Sequence, residues 1–150
     1  MDNEEFEKYV NERYYPQINW YDKKAISNKK TFEILQSTII ILTIITPIFI
    51  VIEITIYHEF AYISLVAAVI IAIITSFQRT FRYRDNWLTY RNICETLKKE
   101  IYFYSSNSRD YANSVNPISV FINNVESIIS QENDFWTRNI ESNKEISSDQ

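Results

Sequence analysis

Two long apolar runs dominate the hydropathy pattern of this 150-residue chain. Ile34–Ile52 is nineteen residues without a charge, nine of them Ile, and Ala61–Phe77 is seventeen more. Only Glu53-Ile-Thr-Ile-Tyr-His-Glu-Phe60 separates them. A hydrocarbon core about 30 Å thick is crossed by a helix of ~20 apolar residues, with a range of about 17–25. Each strong apolar residue near the centre favours insertion by roughly 0.3–0.6 kcal/mol, and a central charge would oppose it by about 2.5–3.5 kcal/mol. Neither run carries one. The alternative is a buried hairpin in a soluble domain, but a chain of this length has little interior with which to surround two such helices. The pattern therefore predicts an all-α fold built on a transmembrane hairpin, with spans at 31–52 and 61–77 and an external loop at 53–60.

Helical periodicity continues on both sides of the hairpin. Phe6, Tyr9, Val10 and Tyr14 predict a short acidic helix, which Pro16 interrupts or replaces with the next one. The N-terminal segment 1–30 then runs polar and basic into the first span. After Phe77, the positions Phe81, Leu88, Cys94, Leu97, Ile101 and Tyr104 keep three- and four-residue steps with no Gly or Pro between them. This predicts that the second span runs on as a single helix, with 78–104 as its extension. Ser105–Asn116 is a Ser/Asn-rich loop. A last helix over 117–139 is expected from Pro117 at its first position, Asn116 as its cap, and Ile118, Phe121, Ile122, Val125, Ile128, Ile129, Glu132 and Phe135/Trp136 on helical spacing. It would pack antiparallel on the long helix, leaving 140–150 as a polar tail.

Charge assigns an orientation. Lys23, Lys24, Lys29 and Lys30 precede the first span; Arg79, Arg82, Arg84 and Arg91 follow the second; the connecting loop has neither Lys nor Arg. Positive flanks stay cytoplasmic, so both termini are expected inside, with these residues meeting the inner leaflet. The net charge of −4 carries no nucleic-acid signature.

Glycine is absent altogether. A phosphate-cradling loop or dinucleotide fingerprint needs backbone free of Cβ, so no nucleotide cofactor is expected on that basis. With His58 as the sole histidine, no His-based metal cluster is available, and a Ser–His–Asp arrangement would have to use a residue with no evident nucleophile beside it. Cys94 is a lone thiol that reads as a small apolar helix residue. The chain is not read as an enzyme.

Other residues suit a membrane role. Ser64, Ala68, Ala72 and Ser76 place a small residue at every fourth position of the second span, which allows close helix approach within the hairpin or between copies. Thr43 and Pro47 in the first span suit a local bend or a pore-wall hinge. Glu53, His58 and Glu59 either terminate the spans or form an acidic mouth on an assembled pore.

The segment Tyr21-Asp-Lys-Lys-Ala25, the late Pro47, Arg79 with Arg82, and Phe121-x3-Val125-Glu126-x-Ile128-Ile129-x2-Glu132-x3-Trp136 share one order around the hairpin. Together they resemble the two-transmembrane SLATT superfamily, especially its branch called domain of unknown function 4231, over about residues 9–137. The family usually carries small residues near its spans, often Gly, and this chain has no Gly. The resemblance implies a bacterial inner-membrane protein that acts as a pore-forming or membrane-perturbing effector in conflict systems, as a homo-oligomer and often beside a cytoplasmic sensor. It implies no catalytic residue. A non-conducting membrane adaptor that docks a cytoplasmic partner fits the same residues.

Overall fold

The computed structural model describes residues 2–55 and 62–130. Every regular element among them is helical. The chain forms two compact units, one from residues 1–23 and 90–150, the other from residues 24–89.

Helix α1 (Asn3–Tyr9) opens on a reciprocal cap: Asp2 Oδ1 accepts from the Glu5 amide at 2.8 Å, and the Asp2 amide donates to Glu5 Oε2 at 3.2 Å. A π-helical turn, Val10–Tyr14, joins it to α2 (Tyr15–Thr55). Pro16 is the second residue of α2. Its ring would crowd the carbonyl four residues back in a regular helix, and the wider turn just before it, closed from the Tyr15 amide to the Val10 carbonyl, gives that ring room. Helix α2 then runs without interruption past Pro47 to Thr55.

The expectation of one helix from Ala61 to Tyr104 is corrected. The chain instead forms α3 (Tyr62–Phe81) and α4 (Tyr83–Ser105), separated at the single residue Arg82, whose φ is 46°. A left-handed L-residue costs about 1–2 kcal/mol. Local bonds offset it: Asn86 Nδ2 donates to the Phe81 carbonyl at 3.0 Å, and Arg82 holds Asp85 Oδ2 through Nε and Nη2, both at 3.0 Å. No Gly or Pro marks the position, so spacing alone could not disclose it.

In the 24–89 unit, the less exposed positions form a seam on each helix. On α2 they include Ala25, Asn28, Phe32, Leu35, Ile39, Leu42 and Thr46; on α3 they are Ser64, Ala67, Ile71, Ile74 and Gln78. Steps of three and four alternate, the 3.5-residue repeat that keeps two helices facing one another. Phe32 lines one cleft with Thr75, Gln78 and Arg79, while Lys29, earlier in α2, lies over Trp87, later in the chain, so the two segments run antiparallel. Beyond the break the facing positions are Tyr83, Asn86 and Trp87, where the uninterrupted seam would have brought position 85 inward.

Outside the seam, both helices are long and apolar enough to cross a membrane, and their apolar windows are not buried by the chain itself. Ile44, Val51 and Leu65 are 61 %, 64 % and 65 % exposed. Exposed large apolar residues recur along both helices.

The unit made from the chain ends is a small antiparallel bundle. Tyr14 Oη donates to the Leu97 carbonyl at 2.5 Å, Cys94 Sγ lies 3.8 Å from the Ile18 carbonyl, and Arg91 Nη1 lies 3.2 Å from Asp22 Oδ1. These pairs run in opposite directions along α2 and α4. Helix α5 (117–130 among the described residues) starts at Pro117, with Asn116 Oδ1 accepting from the Ser119 amide at 3.2 Å. Asn124 meets Glu100 at 2.8 Å and Phe121 meets Tyr104 at 5.3 Å between ring centroids, so α5 lies antiparallel to α4. Phe121 is fully buried and also touches Phe6 and Tyr14, at 5.6 and 5.2 Å.

Helix α4 ends in a left-handed cap without glycine. Asn107 has φ 48°; its amide donates to the Tyr104 carbonyl at 3.1 Å, and the Ser108 amide donates to the Phe103 carbonyl at 3.1 Å. Asn is the usual substitute for Gly at this position, because its short polar side chain tolerates positive φ.

Removing the Phe121 ring is expected to cost the end-derived bundle about 3–5 kcal/mol. Hydrogen exchange on a Phe121→Ala variant should show amides of α1 and α5 losing protection while those of α3 keep theirs; unchanged protection in α1 would contradict the central place given to this ring.

Candidate functional site

Three arginines converge where α3 gives way to α4. Arg79, Arg82 and Arg84 line one cleft of about 560 Å³ with Gln78 and Asp85, and Phe32 and Thr75 supply its walls. In an unbroken helix, positions 79 and 82 share a face while 84 lies well away from both. With the left-handed turn at Arg82, the third arginine also lines the cleft. Asp85 answers Arg82. Among the described residues, Arg79 and Arg84 make no ion pair, and Gln78 Nε2 is buried without an acceptor.

Of the lysines before the first span, Lys23, Lys24 and Lys30 are exposed, and Lys29 pairs with Glu33 at 3.7 Å while lying 5.8 Å above the Trp87 ring. None of the four lines the arginine cleft.

The small-residue stripe divides. Ser64 belongs to the half-buried seam, whereas Ala68, Ala72 and Ser76 are exposed. Steps of four residues drift about 40° each around a helix, so a stripe at i, i+4, i+8 leaves a face that steps of three and four follow. The residue that sequence reading passed over is Ala67, next to the stripe and on the seam. Thr43 and Pro47 are also exposed. Hydroxyls on these helices return to the carbonyl four residues back: Thr43 to Ile39 at 2.8 Å, Thr46 to Leu42 at 2.6 Å, Ser76 to Ala72 at 2.8 Å. That satisfies them without water. Glu53 falls in the last turn of α2, and His58 and Glu59 lie outside the described residues, as do Glu132, Phe135 and Trp136.

Two polar clusters organise the end-derived bundle, and sequence spacing announced neither. Tyr111 Oη donates to Glu100 Oε1, and Asn124 Nδ2 donates to the same oxygen at 2.8 Å. Glu100 is buried, so its charge is met by donors from the 3₁₀ turn Arg109–Tyr111 and from α5. Burial, and then the bond to Glu100, push the Tyr111 hydroxyl above its ordinary value. In the second cluster, Arg13 Nε and Nη2 grip Glu126 Oε1 and Oε2 at 3.2 and 3.1 Å, and Tyr9 Oη donates to Oε1 at 2.9 Å. Glu126 belongs to the motif that carried the family resemblance.

Cys94 is fully buried, and burial raises its thiol above the ordinary value. A groove of about 680 Å³ in the same unit is lined by Tyr15, Ile18, Lys98, Lys99, Ile101 and Tyr102, among others. Among the described residues, no three His, Cys, Asp or Glu side chains converge on a point where a metal ion could sit.

The profile of the family described as Protein of unknown function (DUF4231) matches residues 16–119, more than half of the chain. The chain belongs to that family. The match spans α2, α3 and α4 and stops before Phe121. No curated protein and no solved structure matches the chain.

Two outcomes test these clusters. The bonds from Arg13, and after an opposing effect of burial the bond from Tyr9, hold Glu126 below the ordinary carboxylate value of 4.5. A lowered folded value stabilises the fold above the ordinary value, and that contribution is lost as pH falls through the folded one. The grip of α5 on Tyr9 and Arg13 is therefore expected to loosen below pH 4.5, with Glu126→Gln abolishing that step; tyrosine fluorescence followed against pH reads it. Cys94, buried and with a raised value, should resist maleimide in the folded protein and react on denaturation. Rapid labelling of the native chain would contradict the packing of α4.

Proposed function

We propose that this chain is a bacterial inner-membrane protein whose α2 and α3 cross the bilayer, with both termini in the cytoplasm, and that copies assemble into a membrane-perturbing or pore-forming effector of a conflict system. The observation that carries the membrane part is the exposed apolar surface of α2 and α3, whose hydroxyls are satisfied by their own helices. Lysines before the first span and arginines after the second favour the cytoplasmic side for both ends. The effector role comes from the SLATT resemblance. Assembly is supported by Ala68, Ala72 and Ser76, which stay exposed on α3 and let a neighbouring helix approach closely. One hairpin offers too little polar lining for conduction, so a pore needs several copies.

The second reading is a non-conducting membrane adaptor. The groove lined by Tyr15, Lys98 and Tyr102 favours it, because aromatic and cationic groups together suit a docked cytoplasmic partner.

Expression under a membrane-potential dye separates the two. Forced expression is expected to collapse the potential. The double variant Ala68→Leu/Ala72→Leu, present in the membrane in equal amount, should preserve the potential and run as a smaller species in native mass spectra. Full potential with abundant wild-type protein in the membrane favours the adaptor. A chain that stays monodisperse in buffer without amphiphile, or a terminal tag labelled from outside intact cells, would overturn the membrane placement itself.

A further inference from the structure

We infer that the cleft at the α3–α4 break is a binding site for a phosphate oxyanion, such as the headgroup phosphate of an anionic phospholipid. Four observations on that cleft converge. Arg79, Arg82 and Arg84 line it together, and a guanidinium presents paired N–H groups that match two phosphate oxygens. Asp85, the one carboxylate there, is taken up by Arg82, so the cleft keeps a cationic surplus at Arg79 and Arg84. Gln78 Nε2 is a buried donor with no acceptor among the described residues. Buried donors in native proteins are nearly always paired, and an oxyanion in this cleft would supply the acceptor. The 23-residue helix α4 begins at Tyr83, which adds the positive end of a helix to the same place.

The backbone supports this reading. Arg82 adopts a left-handed conformation that an L-residue avoids, and without that turn Arg84 would point away from Arg79. The strained residue is itself one of the three arginines. Simple topology signalling needs positive charge only near the span, whatever direction each side chain takes; it requires neither the break nor the convergence.

The site stands on the cleft alone. The lipid source rests on the proposed membrane placement, because Arg79 comes two residues after the exposed Phe77 at the end of the apolar run. A phosphate drawn from solution would use the same donors.

Full-length protein in a non-ionic detergent allows both sources to be tested. Native mass spectrometry is expected to show phosphatidylglycerol retained at least about tenfold better than phosphatidylcholine, with Arg79→Gln/Arg84→Gln removing the preference. Arg84→Lys should lose part of it, since the charge stays but the paired donors go. Asp85→Asn, which removes the carboxylate from the cleft, should strengthen it. Lys24→Gln/Lys30→Gln, outside the cleft, should lower it less than the arginine pair does, and circular dichroism should report equal helix content throughout. Titration with inorganic phosphate, read by thermal shift, forms the second arm. Phosphate binding that depends on Arg79 and Arg84 without lipid preference upholds the site and names solution as the source. Equal losses from the lysine and arginine pairs would reduce the effect to general surface charge and overturn the proposal, as would binding in both arms that ignores Arg79 and Arg84. Failure of membrane insertion shows separately, as a chain stable in plain buffer, and leaves the phosphate titration interpretable.

Discussion

Apolar surface that the chain cannot cover for itself is the constraint on which the rest of this structure depends. Helices α2 and α3 bring one seam of side chains together and leave their remaining Ile, Leu, Val and Phe open. Two helices in contact can bury only a stripe of each, so no rearrangement within this pair would hide the remainder. The other features of the pair suit such an environment. Charges are absent from the long runs, and threonine and serine hydroxyls turn back to carbonyls of their own helix. Pro47, which removes a backbone donor, leaves the helix unbroken to Thr55.

The unit built from the chain ends works by different physics. Its core is aromatic, with Phe121 among Phe6, Tyr14 and Tyr104, and tyrosine hydroxyls fasten the rings to backbone and carboxylate acceptors. Aromatic rings bury much area at little loss of rotamer freedom, which helps a small bundle reach stability. Buried Glu100 is tolerated because Tyr111 and Asn124 both donate to it. A chain without glycine still needs positive φ, and it is found at Asn107, Arg82 and Arg109. Asn107 does what Gly would do at a helix end. Arg82 separates one helix from the next, and it lines the cleft at that point.

Membership of the DUF4231 family joins these features without assigning an activity, since a fold alone carries no function. The proposals divide accordingly. Lipid placement follows from surface chemistry, the effector role from resemblance, and oxyanion binding from a particular convergence of donors. Oxyanion binding stands on the cleft alone, whereas the effector role and a lipid source for the phosphate both require the membrane placement.

What the sequence determined by itself was local and periodic. The two apolar runs are long enough to specify helices, the Asn116–Pro117 pair marks the start of α5, and Phe121 and Val125 fall where core positions recur. Family membership was legible as well, from motifs held in order around the hairpin. What the tertiary structure decided was direction. Whether Ala67 or Ala68 faces α2 depends on the pitch of the helix pair, a difference of one residue that composition cannot register. That Glu100 would find Tyr111 and Asn124, and Glu126 find Arg13 and Tyr9, required separated segments to meet. The break at Arg82 had no Gly or Pro to announce it, and its stabilising partners, Asn86 and Asp85, are residues that helices also accept. Periodicity records which residues avoid water; it does not record which way a backbone turns when side-chain hydrogen bonds offset the strain.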